Sequence, residues 1–176
     1  VLRDDPSARV RQAAAAHGPL MSAEAIDALI SVVGNTEEWG AVRAEAADSL
    51  GRLGVSKAEG TLEAGLADAI PQVRAACATA LGELHSDEAA GPLAKLAQNT
   101  SELSLVRVAA VQALGALGDV AEPALLRLAA EEVGAVREAA VTALTGFGSP
   151  AASEALAAIA ASPVEPRALR NIATGN

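Results

Sequence analysis

The chain has 176 residues, 51% of them hydrophobic and 20% charged, with 22 Asp+Glu against 13 Lys+Arg and a formal net charge of −9. The apolar content is too high for a disordered chain, no apolar run reaches the roughly eighteen residues of a membrane span, and one Cys with two His excludes a disulfide scaffold or a thiolate metal cluster. The acidity works against nucleic acid and anionic lipid, which bind through cations that neutralise phosphates, and it favours basic partners.

In chain order, Val1-Leu2-Arg3-Asp4 reads as the tail of a preceding helix. Val10-Arg11 and Ala14 then open a helical pattern that breaks at His17-Gly18-Pro19. Leu29 centres an Ala-containing segment of a second kind, closed by the polar turn Asn35-Thr36-Glu37-Glu38. The first kind returns as Val42-Arg43, Ala46, Leu50 and Leu53-Gly54, and Leu62 marks the next segment of the second kind. Val73-Arg74, Cys77, Leu81 and Leu84-His85 follow, then Leu93, then Val106-Arg107, Ala110, Leu114 and Leu117-Gly118. Asp119 starts an Ala-rich segment around Leu125, and Val136-Arg137, Ala140, Leu144 and Phe147 repeat the first kind. Ser149-Pro150, a cap residue followed by Pro at the first helical position, opens a segment around Leu156. Leu169-Arg170 and Ala173 begin a last, incomplete copy.

The steps between the Val-Arg or Leu-Arg pairs are 32, 31, 33, 30 and 33 residues. A fixed period of this length is the signature of a repeat architecture. Within a copy, positions 0, 4, 8 and 11 counted from the Val fall on one face of a 3.6-residue helix. The small residue at position 4 lets another helix come close, and the terminal Gly suits a left-handed C-terminal cap. Each unit is therefore two antiparallel helices with short turns, and no run alternates with period two as a strand would. One helix pair cannot bury its apolar face alone, but stacked pairs share a continuous core. The expected fold is all-α, an α-solenoid of stacked antiparallel helix pairs. It forms a single domain over residues 1–176 with about five repeats, both ends being truncated or capping. No basic segment followed by an apolar stretch opens the chain, so the cytoplasm is the expected compartment.

The pattern Asp68, Pro71, Val73, Arg74, Ala75, Ala76, Ala80, Leu81, Gly82 and Leu84 resembles the short HEAT-like repeat of the phycobilisome-lyase type, and the resemblance extends over essentially the whole chain. It implies a right-handed superhelix with the Val-Arg helices lining the concave side. It implies a ladder along the stack formed by Arg11, Arg43, Arg74, Arg107, Arg137 and Arg170. Six residues before these arginines stand Asp5, Glu37, Asp68, Ser101, Glu131 and Val164, four of them acids able to cap a helix and accept a bidentate bond. The other reading of the column is a row of anion-binding guanidiniums. Repeats of this type occur in scaffolds, in chromophore lyase subunits and in a metal hydroxylase. The hydroxylase needs paired His-Glu motifs, and neither His17 nor His85 is followed by Glu, so no metal site carries over.

Trp39 could be a binding hot spot, but it shares the column of Ile70, Leu103 and Val133, three before each Val, and is expected to pack in the core or the turn. Phe147 is expected in the core. Cys77 stands in for Ala at a buried position, and without a companion His it makes no nucleophile. The outward side of the Val-Arg helices carries Ala44, Asp48, Ala75, Thr79, Val108, Val111, Gln112, Glu138, Val141 and Thr142. Small and mildly apolar, these residues form a shallow groove for a helix or extended peptide, unless curvature crowds that side. The expected function is thus a non-catalytic scaffold whose concave surface binds a protein or peptide with a basic or apolar segment, without cofactor, metal, nucleic acid or membrane. The alternative is a bilin lyase subunit, or an accessory factor of a pigment complex, acting with a partner chain.

Overall fold

The computed structural model describes residues 22–175. These residues form ten α-helices and no strand: α1 (Ala23–Gly34), α2 (Gly40–Arg52), α3 (Glu59–Gly65), α4 (Pro71–Glu83), α5 (Ala90–Gln98), α6 (Ser104–Ala116), α7 (Glu122–Glu131), α8 (Gly134–Leu144), α9 (Pro150–Ala161) and α10 (Arg167–Thr174). Short 3₁₀ turns at Ser56–Ala58, Asp87–Ala89 and Gly118–Ala121 lead into α3, α5 and α7. Val1-Leu2-Arg3-Asp4, Asp5, Val10-Arg11, Ala14 and His17 lie outside the described residues. The chain divides after Ala89 into two compact units.

In the first unit the Val-Arg helices α2 and α4 pack against each other, while α1 packs on α2 and α3 on α4. The packing follows from the repeat columns. Val42, Ala46 and Leu50 of α2 and Val73, Cys77 and Leu81 of α4 are buried, opposed by Leu29 and Val33 of α1 and Leu62 of α3. The second unit repeats the plan, with α6 on α8, α5 on α6 and α7 on α8, and α10 packs on α8 and α9. Its core is Val106, Ala110, Leu114, Val136, Ala140 and Leu144 with Leu93, Leu125 and Leu128. In α9 the buried residues are Ala152 and Ile159, whereas Leu156, the expected column residue, is only half-buried. Phe147 is likewise half-buried rather than core, because it follows α8 after two turn residues and no longer obeys the helical period.

Helices α2 and α4 end alike. The amides of Val55 and Ser86 reach back to the carbonyls of Leu50 and Leu81 at 3.1 and 3.2 Å. The residue that reverses the chain has positive φ, +67° at Gly54 and +52° at His85, and Gly118 after α6 has +69°. Only Gly takes that conformation without steric cost, so His85 is the strained member of the column.

The starts of the Val-Arg helices differ from the expectation. The residues at their N-caps are apolar and extended: Trp39, Ile70, Leu103 and Val133. The turn residues before them supply the hydrogen bonds. Asn35 Oδ1 accepts from the Glu37 amide at 3.2 Å, Asp68 Oδ1 from Ile70 at 2.8 Å and Asn99 Oδ1 from Ser101 at 3.1 Å. Counting back three residues from Val42 therefore leaves the helix, and the side chain points away from the core. Trp39 is 71% exposed, with Ile70, Leu103 and Val133 also exposed, so the expectation of a buried Trp39 column is corrected.

Candidate interaction surface

The Arg column builds the joints between repeats. Arg43 is almost fully buried; its Nε donates to the Glu38 carbonyl at 3.1 Å and its Nη1 to Asp68 of the following repeat. Arg107 Nε donates to the Ala97 carbonyl at 2.7 Å, and its Nη2 lies 2.6 Å from Glu132. Arg137 Nε donates to the Ala129 carbonyl at 2.7 Å, and its fork makes two 2.9 Å bonds to Glu165. Arg74 Nη1 donates to the Asp68 carbonyl at 2.6 Å, and Arg170 Nη1 to the Ser162 carbonyl at 3.3 Å. Each guanidinium thus ties the turn behind it, and Arg43, Arg107 and Arg137 also hold a carboxylate of the next repeat. The partner register differs from the expected column. Asp68 stands six residues before its repeat's Arg, but Glu132 and Glu165 stand five before, while Glu37 and Glu131 are exposed. Burial works to raise the Asp68 pKa, but the bonds from Arg43 and the Ile70 amide, with the charges of Arg43 and Arg74, outweigh it and hold the carboxyl below its ordinary value.

These joints set how closely adjacent Val-Arg helices approach. A methyl group added at Gly51 of α2 would lie 2.7 Å from Ala80 Cα of α4. One added at Gly115 of α6 would lie 3.0 Å from Ala143 Cβ of α8. The same two columns make both contacts, and the approach is closer at α2–α4 than at α6–α8.

The expected binding set divides on this geometry. Thr79, Gln112, Glu138 and Thr142 are exposed, and Ala44, Asp48, Ala75 and Val108 are half-buried. Val111 and Val141 are fully buried, as are Ala47 and Ala78 in the same column, so those two valines are core rather than binding residues. A Val-Arg helix in a stack touches both its own hairpin partner and its Val-Arg neighbour. The buried arc is therefore wider than one amphipathic stripe, and position 5 falls inside it. The Thr79 and Thr142 hydroxyls donate to the Ala75 and Glu138 carbonyls of their own helices at 3.1 and 2.7 Å. Burial, with Glu45 adding to it against Arg52, raises the Asp48 pKa.

Between α6 and α8 the remaining residues enclose a shallow groove of about 310 Å³, lined by Gln112, Gly115, Ala139, Thr142 and Ala143. Ala139 and Ala143 are residues the sequence reading did not select; the Gly115–Ala143 approach brings them to the groove floor. Cys77 sits in the core beneath Gly65, its thiol pushed up to about 12 by burial and then by the charges of Asp68 and Asp48, which makes it inert. Among the described residues no three His, Cys, Asp or Glu cluster as metal ligands, and no helix is long and apolar enough to cross a membrane.

Helix pairs stacked at one period, joined by an Arg–carboxylate contact, define a helical-repeat scaffold. The chain belongs to the HEAT repeat family, whose model matches residues 59–131 and 104–174. Among solved structures it is similar to the complex of CpcE and CpcF of phycocyanin lyase from Nostoc sp. PCC7120. The identity there is 28% and the TM-score 0.67, covering 99% of this chain and 71% of that one. It is also similar to a designed armadillo repeat protein, at 17% identity and TM-score 0.54, covering 96% and 90%. The third structure is that of the Pds5–Scc1 complex, at 12% identity and TM-score 0.54, covering 95% and 27%. The last two show the fold alone. No curated protein sequence matches the chain.

Proposed function

We propose that this chain is a non-catalytic binding module that engages a protein or peptide through the exposed side of its Val-Arg helices, the side the family resemblance makes concave. The observation that carries the reading is the α6–α8 groove, whose floor is small and whose rim offers Gln112 and Thr142. Its walls are helices already locked by the Arg107 and Arg137 joints, so a partner meets a preformed surface and little ordering entropy opposes binding. Glu138, exposed on α8, with the net charge of −9, suits a partner segment with basic or apolar residues. The same charge disfavours nucleic acid.

A photo-crosslinking residue at Gln112 or Thr142, in the chain expressed in its source cells, is expected to capture one discrete polypeptide. The same residue at Ser153 of α9 serves as the control. Capture from position 153 alone would overturn the reading.

A second reading is favoured by the 28% identity to the phycocyanin lyase complex over 99% of this chain. In it the chain is one subunit of a pigment-handling assembly and acts with a partner chain. Mixing the chain with a bilin, alone and with its captured partner, tests it by absorbance. An unchanged bilin spectrum in both mixtures removes it.

A further inference from the structure

Trp is among the residues most buried on average, so a Trp with 71% of its surface exposed calls for a reason. Trp39 is held there by a short turn, its amide bonded to Glu38 Oε1 at 2.9 Å. Ile70, the equivalent residue one repeat on, lies over Gly40, where an added methyl would sit 2.8 Å from Ile70 Cγ2. Ile70 is also a wall of a cleft of about 410 Å³ between the C-terminal ends of α1 and α3. The cleft is mainly apolar, with Val33, Ala64 and Ala67 among its walls and the Arg43–Asp68 pair among its polar ones. That volume lies in the range that holds organic groups, so an aliphatic side chain fits with room to spare. Trp39 does not itself line the cleft, but Ile70 packs over Gly40, the residue that follows Trp39, so the Ile70 wall of the cleft adjoins the turn that carries Trp39 and makes a corner with it.

Among the described residues, the charge turned to solvent around this corner has one sign. Glu37 is exposed and Glu38 half-buried, whereas the neighbouring cations Arg43 and Arg74 turn inward, Arg43 to Asp68 and the Glu38 carbonyl, Arg74 to the Asp68 and Ala69 carbonyls. The second unit exposes the same column at Leu103 and Val133, so the outward apolar residue is a regular product of the turn rather than a local accident.

We propose that the corner formed by Trp39, Ile70 and the α1–α3 cleft is a docking site for an amphipathic protein segment that places an aliphatic side chain in the cleft and Lys or Arg beside Glu37 and Glu38. Exposed apolar residues rimmed by charge mark such surfaces. The opposite sign of charge selects the partner and orients it. This site is separate from the α6–α8 groove and stands or falls without it.

Trp39 is the one Trp of the chain, and there is no Tyr, so its fluorescence reads the corner directly. The probe is a helical peptide of Leu and Lys without aromatic residues, titrated into the full chain. The free protein is expected to emit as a water-exposed indole and to shift saturably to the blue on addition of the peptide. A Leu/Glu peptide is expected to bind at least about tenfold more weakly, because like charges meet. Ala64→Leu, which fills the cleft from an exposed position, is expected to weaken the Leu/Lys peptide by about tenfold while leaving the circular dichroism unchanged. Equal binding of both peptides, or indifference to Ala64→Leu, overturns the proposal. So does a free-protein spectrum already typical of a buried indole, which would mean that the chain covers the corner itself. A blue shift that grows with protein concentration alone identifies a second copy as the occupant, and an equal shift with zwitterionic vesicles identifies lipid; either result overturns it.

Discussion

Gly51 and Gly115 occupy the same repeat position, yet substituting Ala for each should have different consequences. In both helices the exchange removes backbone freedom from the unfolded chain and gains about 1 kcal/mol of helix propensity. At Gly115 the new methyl meets Ala143 Cβ at 3.0 Å and Ala143 Cα at 3.8 Å, a tight contact that a shift of a few tenths of an ångström relieves. At Gly51 it meets Ala80 Cα at 2.7 Å and Cβ at 2.9 Å, so the backbones of α2 and α4 must separate. Overpacking of this kind costs about 1–3 kcal/mol, and the Arg43–Asp68 joint resists the separation. Gly115→Ala should therefore change stability by less than about 0.5 kcal/mol, the propensity gain offsetting the contact. With the joint holding the cost at the upper end of that range and the propensity gain subtracted, Gly51→Ala should destabilise by about 2 kcal/mol, which at a urea slope of about 2 kcal/mol/M lowers the midpoint by roughly 1 M. Urea titration followed by far-UV circular dichroism measures both variants. A midpoint for Gly51→Ala equal to or above that of the parent chain would refute the close α2–α4 approach.

Three further outcomes test other parts of the structure. Asp68→Ala leaves Arg43 buried without its carboxylate and should cost about 3 kcal/mol at neutral pH. Because the folded-state pKa of Asp68 lies below its ordinary value of 3.8, its contribution is full above that pH and is lost as the pH falls through the lower, folded value. The gap between parent and variant in acid titrations should close there, and a gap that already closes near neutrality contradicts the pairing. Gly65→Ala should clash with the Cys77 thiol, and Cys77→Ala should relieve most of that clash, a favourable coupling that a double-mutant cycle reads and that additive effects would deny. Val111→Asp buries a charge and should cost about 4 kcal/mol or more, while Gln112→Asp, one residue on, should stay within about 0.5 kcal/mol; similar melting of the two variants would mean that the helix face is misassigned.

The repeat and its core were legible in the sequence because a helix carries its own period. Val42, Ala46 and Leu50, and Val73, Cys77 and Leu81, mark the buried stripe without reference to any other segment. The HEAT-type pattern at residues 68–84 named the architecture for the same reason. The Gly54 and Gly118 caps were also local, since a left-handed residue is set by its own backbone. The candidate site was legible only in part. Gln112 and Thr142 lie exposed as their helical phase implied, but Val111 and Val141 are buried, because their burial depends on a second helix whose approach is not written in α6 or α8 alone.

Tertiary structure also chose which acid each Arg holds. Glu132 and Glu165 rather than Glu131 and Val164 face Arg107 and Arg137, since the length of each turn shifts the register by a residue. It turned Trp39 and Ile70 outward, because the helix starts after them and helical phase no longer applies. Periodicity is a property of a segment and survives in the one-dimensional chain. Which arc is covered, which carboxylate is in reach and where a cleft remains are properties of neighbouring helices, and only their packing decides them.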